Sequence, residues 1–254
     1  MSCKLKTMFF LLVFTVAIFI QGGCASQPQV HLPTEAVKLE RESILKDQLS
    51  QKAEKHFTLK SSPAVEAYIA RIIHQLMSAS NPEERPAEVK VFLVDDQNGL
   101  WRSLSIPENR FFLSLGLLKT IEFEHELASL LSMQISILSR KVIFNLVSSS
   151  ESSRDVSPPH HITWESLLNA SLEEEQASIG PAIDLVYKAG FDPRGMVSLY
   201  DRYTLTPDHS PYRRKTRELY IEMMKQEISK LPPLRNPISR SEEFLLMKQR
   251  IKKL

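Results

Sequence analysis

One segment constrains the fold more than any other. From about Ile121 to Leu146 apolar residues recur on more than one face of a helix. A helix that is apolar around most of its circumference has to be enclosed by other elements. It is therefore expected at the centre, with the rest of the chain built around it.

The segments on either side supply the wrapping. Thr34 precedes a charged helical stretch to about His56, with Glu35 near its start, where the helix dipole favours an acid. A second helix follows Ser62-Pro63, and Val65, Tyr68, Ile69, Ile72, Ile73 and Leu76 form an apolar stripe at helical spacing. Glu88 to Asp95 alternates and is rich in branched residues, as a strand requires. Leu104–Ile106 and Arg110–Leu115 read as two further strands around a turn at Pro107-Glu108-Asn109, and Gly116 is expected to end that sheet.

Beyond the central helix, residues 148–162 are rich in Ser, Pro and charge and read as a flexible loop. Helical pattern returns at Thr163 and runs past Leu185, with Pro181 expected to kink or interrupt it and Gly190 to cap it. Asp192-Pro193 and Ser210-Pro211 each open another helix. Residues 231–254 form a basic helical tail, with Phe244, Met247, Ile251 and Leu254 on one face. That tail could lie on an anionic membrane, but it is short, and packing against the domain is the preferred reading. The fold class is α+β, mostly helical, with a small early sheet.

The first residues carry an address. Lys4 and Lys6 are followed by an apolar run of 13 residues, Met8–Ile20, and then by Gly22-Gly23-Cys24. Spanning a bilayer takes about 20 residues, so residues 1–23 read as a cleaved signal peptide. A Cys directly after Gly-Gly resembles the lipobox of bacterial lipoproteins, although Gln21 stands where Leu is usual. The resemblance implies a palmitate-bearing lipid anchor on Cys24 and, because Ala25 follows, an outer-membrane location facing the periplasm. Residues 24–33 would then be a tether. Only Cys3 and Cys24 occur in the chain, so an acylated Cys24 leaves no thiol for a disulfide, a metal site or a nucleophile. Loss of Lys4 and Lys6 takes Lys+Arg from 32 to 30, against 30 Asp+Glu. A neutral protein has no field to attract nucleic acid.

Four pieces, in order, resemble one family. Residues 63–76 (PAVEAYIARIIHQL) look like its early helix, and Ile106-Pro107 with 110–118 (RFFLSLGLL) look like its LPGG-x-I-x-V-x-x-GLL segment. Residues 124–131 (EHELASLL) resemble EDELAAVL, and 189–196 (AGFDPRGM) resemble AGYDPRAM. The family is that of the HtpX-like and BepA-like zinc metallopeptidases, which include the CAAX-prenyl endopeptidases. The resemblance implies a zincin-like peptidase domain over residues 34–230, with the central helix as its active-site helix.

In that family the helix continues as HExxH. Histidines at i and i+4 share a helical face and ligate one zinc, while the Glu acts as general base on the zinc-bound water. Here those positions hold Met133, Gln134 and Ile137. A thioether is a poor zinc ligand, Ile has no donor atom, and an amide cannot accept a proton at neutral pH. No metal and no cofactor are therefore expected. Two remnants remain: Glu174, where the resemblance places the third ligand, with Ser178 in place of the Asp that follows it, and His209, beside the former metal. His125-Glu126 imitates the start of HExxH, but Ser129 occupies the i+4 position. His160-His161 lies in the loop and reads as linker. Arg213-Arg214-Lys215 with Arg217 is interleaved by acids and reads as a solvated face.

The expectation is a catalytically inactive envelope lipoprotein of metallopeptidase type, acting as a binding, scaffold or regulatory protein on a protein partner in the envelope. Two alternatives stand beside it. One is an active zinc endopeptidase with relocated ligands such as His209, Glu174 and His125. The other is a structural spacer tethered to the membrane.

Overall fold

A computed structural model describes residues 47, 49–80, 88–95, 104–106, 109–140, 172–203 and 211–254. The expected signal, Cys24, the tether and the loop at 148–162 lie outside these residues. The described chain is mostly helical with one small mixed sheet, an α+β arrangement.

Helix α1 covers residues 49–56 and leads into β1 (Leu59–Lys60) and α2 (Pro63–Ser80). Proline suits the first helical position because its missing N–H would be unpaired there anyway. The Glu66 carboxylate reaches back to accept from the Ser62 backbone N–H at 2.7 Å. The whole predicted stripe from Val65 to Leu76 is buried.

The sheet runs β1-β2-β4-β3, with β2 at Lys90–Val94, β3 at Leu104–Ile106 and β4 at Arg110–Ser114. β2 and β4 pair in parallel, and the two outer strands pair antiparallel to them. Asn109, just before β4, takes φ of 54°, the left-handed region that Asn tolerates better than most residues. Successive side chains of β4 point to opposite faces. Phe112 packs with Leu49, Ala53 and Ile106 beneath α1, while Phe111 and Leu113 enter the main core on the other side. Phe92 stacks on Phe112 at 4.6 Å.

Gly116 does not end the sheet as a breaker. It lies inside a short helix, α3 (Leu115–Thr120), and the sheet ends one residue before that helix, where the Ser114 hydroxyl accepts from the Leu117 N–H at 3.0 Å. The central helix, α4, spans Glu124–Ser139 and starts three residues later than the apolar pattern suggests. The cause is the Glu126 carboxylate, which accepts from the backbone N–H groups of Glu122 and Phe123 at 2.8 and 3.2 Å and so closes the helix start there. Ser129, Ser132 and Ser136 are buried on α4 and keep their hydroxyls satisfied on backbone oxygens, the last on Ser178 across the helix interface. Small, internally paired side chains of this kind let another helix approach closely.

That neighbour is α5 (Leu172–Lys188), which runs through Pro181 without interruption. Gly190, at φ 84°, ends the segment, with Phe191 N–H bonded back to the Val186 oxygen at 3.1 Å. Asp192 then caps α6 (Arg194–Tyr203) by accepting from the Arg194 N–H at 3.0 Å. α7 (Pro211–Ser229) follows. Residues 238–239 thread between two helix starts, with Ile238 N–H on the Gly190 oxygen, Asp192 N–H on the Ile238 oxygen and Glu124 N–H on the Ser239 oxygen. The tail helix, α8 (Glu242–Ile251), is capped by Ser241 and buries Phe244, Met247 and Ile251 in the main core.

Candidate functional site

The C-terminal half of α4 carries Met133, Gln134 and Ile137, the positions that the sequence resemblance sets against HExxH. Met133 is 4% exposed and joins an apolar cluster with Ile179, Ala182 and Ile183 of α5, Met196 of α6, and Tyr220 and Met224 of α7. Ile137, one turn on, packs against the same cluster. The two residues thus share a helical face, as their spacing requires, and that face meets hydrocarbon from three helices. Gln134 lies on the side of α4 that β3 approaches, and its backbone oxygen accepts from the Ser105 hydroxyl at 3.1 Å. Ser178 is fully buried opposite Ser136. His209 lies outside the described residues, as does the side chain of Glu174.

A zinc ion needs nitrogen, thiolate or carboxylate donors in tetrahedral array. Met133, Gln134 and Ile137 do not supply them, and the surroundings of Met133 and Ile137 are apolar. The residues present do not fit the metal. Among the described residues no three His, Cys, Asp or Glu side chains converge on a point where one could be held.

His125 is separate from this cluster. It sits at the start of α4, where its ring stacks on Phe123 at 5.3 Å and its Nδ1 lies 3.2 Å from the Ser239 oxygen. Burial holds its pKa below the ordinary value, against the opposing pull of Asp192 and Glu126. A Cβ placed on Gly195 would lie 2.6 Å from the His125 carbonyl oxygen and would also strike the ring at Cδ2. Helices α4 and α6 therefore touch at this point through bare backbone.

The chain matches no protein-family model and no curated protein.

Two polar centres at the start of α4 are not evident from motif spacing. Glu126, 1% exposed, accepts from Arg202 and from the Ser198 hydroxyl at 2.7 Å, both on α6, besides its two backbone bonds. Arg202 also pairs with Glu122 at 2.7 Å and lies over the Phe123 ring. A buried carboxylate is tolerable when its oxygens are filled in this way. Glu124, 3% exposed, accepts from the Tyr68 hydroxyl at 2.6 Å, but its second oxygen is buried with no partner among the described atoms. Burial first, and this carboxylate second, drive the Tyr68 pKa well above the usual phenol value. Glu126 three residues after Phe123 occupies the position of a capping-box acid, but Phe in place of Ser or Thr hides the pattern. Nothing in the local sequence announces the Glu124–Tyr68 pair, whose members are 56 residues apart.

Proposed function

We propose that this chain is a catalytically inactive relative of the zinc metallopeptidases, with a zincin-like fold, held at the bacterial envelope by a lipid on Cys24, and that it works as a binding, scaffold or regulatory protein. The observation that carries this reading is the environment of Met133 and Ile137. At i and i+4 on the central helix, both side chains are absorbed into a hydrocarbon cluster formed by α4, α5, α6 and α7. Supporting features are the placement of that helix behind a small sheet and the segments that resemble the family. A protein built this way acts through what it holds, and an outer-membrane anchor would restrict it to partners at that surface.

Metal analysis of the purified protein, joined to a casein-cleavage assay, tests the reading. Substoichiometric zinc and no chelator-sensitive cleavage are expected. Stoichiometric zinc together with cleavage abolished by chelator would overturn it in favour of relocated ligands. Anchoring is tested apart from this, by incorporation of labelled palmitate and its loss in Cys24→Ser.

A further inference from the structure

Helix α8 uses one face for the core and leaves the other bare. Phe244, Met247 and Ile251 are buried, and at 100° per residue the opposite face carries Glu242, Leu245, Leu246, Gln249 and Lys253, with Lys252 and Arg250 at its two edges. Leu245 and Leu246 are 40% and 55% exposed, two of the three large apolar side chains found exposed among the described residues. The charges along this helix are sorted. Its acids, Glu242 and Glu243, stand in the first turn, and Glu243 is engaged by Arg71 of α2. Past the leucines come Arg250, Lys252 and Lys253, all exposed.

The neighbouring element adds to the same end. Lys248 donates to the backbone oxygens of Leu118 and Lys119 at 2.7 and 2.9 Å, which fastens α8 to the last turn of α3. Exposed Lys119 belongs to that turn. A rigid helix thus presents two adjacent leucines bordered by four cations, with no acid in its last two turns. Apolar side chains flanked by Lys and Arg match the boundary between acyl chains and anionic headgroups. A protein partner of ordinary interface size would need an apolar centre larger than two leucines.

We propose that the outer face of α8 is a contact site for an anionic phospholipid surface, with Leu245 and Leu246 entering the headgroup boundary and Arg250, Lys252, Lys253 and Lys119 meeting phosphates. This site does not depend on the anchor at Cys24; with that anchor in place, it would fix which side of the domain faces the membrane.

The test uses the chain from residue 24 onward carrying Cys24→Ser, with Leu246→Cys as the single labelled thiol for an environment-sensitive fluorophore. Leu246 is exposed, so the variant is expected to keep the parent's thermal melt. On vesicles of phosphatidylcholine with phosphatidylglycerol, the emission shifts to the blue and is quenched by brominated acyl chains; on phosphatidylcholine alone it does neither. The same label at Lys225→Cys on α7 stays solvent-exposed throughout. Changing Arg250, Lys252 and Lys253 to Ser weakens the response on the order of a hundredfold, at about a factor of five for each cation near a charged surface. An equal response on both vesicle types, an equal response at position 225, or indifference to the triple change would each overturn the proposal. A shift that needs no vesicles and grows with protein concentration would assign the face to a second copy of the chain instead. Because the tested chain has no lipidated cysteine, failure of palmitate incorporation leaves this result unaffected.

Discussion

The contact between Gly195 and His125 allows a quantitative prediction. Gly195→Ala adds one methyl group where the His125 carbonyl oxygen and carbon would stand 2.6 and 2.7 Å away. Carbon atoms attract best at about 3.5–4.0 Å, so α6 must withdraw from α4 by nearly an ångström. Rotation of the imidazole can relieve the collision at Cδ2 but not the one with the backbone. Withdrawal loosens Met196 and Leu199, both buried on α6, and a gap of 0.5–1 Å forfeits roughly a quarter to a half of each contact's well depth. Overpacking of this kind costs about 1–3 kcal/mol. Replacing Gly by Ala in a helix returns roughly 0.5–1 kcal/mol, which leaves a net loss of about 1 kcal/mol within a span of roughly 0–2.5. For a domain of this size a loss of about 1 kcal/mol lowers the melting temperature by about 2–4 °C, read by circular dichroism against the parent chain. The companion His125→Asp removes the ring, so the double variant should recover part of the loss but not all of it, a coupling that a double-mutant cycle measures directly. A Gly195→Ala protein as stable as the parent would refute the argument. The motifs this chain resembles carry Asp at 125 and Ala at 195, so the two departures lie against each other in space.

Four further outcomes are expected. Tyr68→Phe leaves the buried Glu124 carboxylate without its 2.6 Å hydrogen bond and should cost about 1–3 kcal/mol in a denaturant titration; a neutral result would mean that Glu124 has another partner. Met133→Ala opens a hole among Ile179, Ile183 and Met224 and should cost about 2–5 kcal/mol, whereas a loss below about 0.5 kcal/mol would show the site is not packed. His125 has a folded pKa below its ordinary 6.5, so on acidification the unfolded chain takes up the proton first. Stability should therefore fall as pH drops from about 6.5 towards the folded value, and His125→Gln should flatten that slope. Lys248 is lowered to about 8, by burial and then by nearby Lys252. The folded state resists its charge, so the resulting penalty is full below pH 8 and is lifted as pH rises from about 8 towards the ordinary 10.5. Lys248→Met should lack that rise.

The sequence is informative about this fold where one residue decides locally. Pro63, Gly190 and Asp192 mark helix boundaries by backbone chemistry that needs no partner, and the α2 stripe and the tail face declare their burial by period alone. The start of α4 was legible only in part, because its cap comes from the carboxylate of Glu126 reaching backwards rather than from a Ser or Asp at the usual place. Gly116 misled because glycine's breaking tendency is weak against a serine cap one residue before the helix and a run of Leu. Pro181 stands inside α5 without breaking it, although a proline in a helix interior removes a donor and crowds the carbonyl four residues before it. At the candidate site, Met133, Gln134 and Ile137 were legible in the sequence as side chains without zinc donors. The company those side chains keep, and the Arg202–Glu126 pairing across 76 residues, depend on how helices meet, which no local pattern encodes.

The tail helix has a consequence for the order in which this protein takes shape. α8 supplies Phe244, Met247 and Ile251 to the core, and its Lys248 closes on a turn 130 residues upstream. Contacts between such distant parts form slowly, because a long loop must close before they can be rewarded. Until residue 251 has been made, α2 and α3 have no lid over their apolar sides. A chain arrested or cut short before α8 would expose that surface to proteases and chaperones.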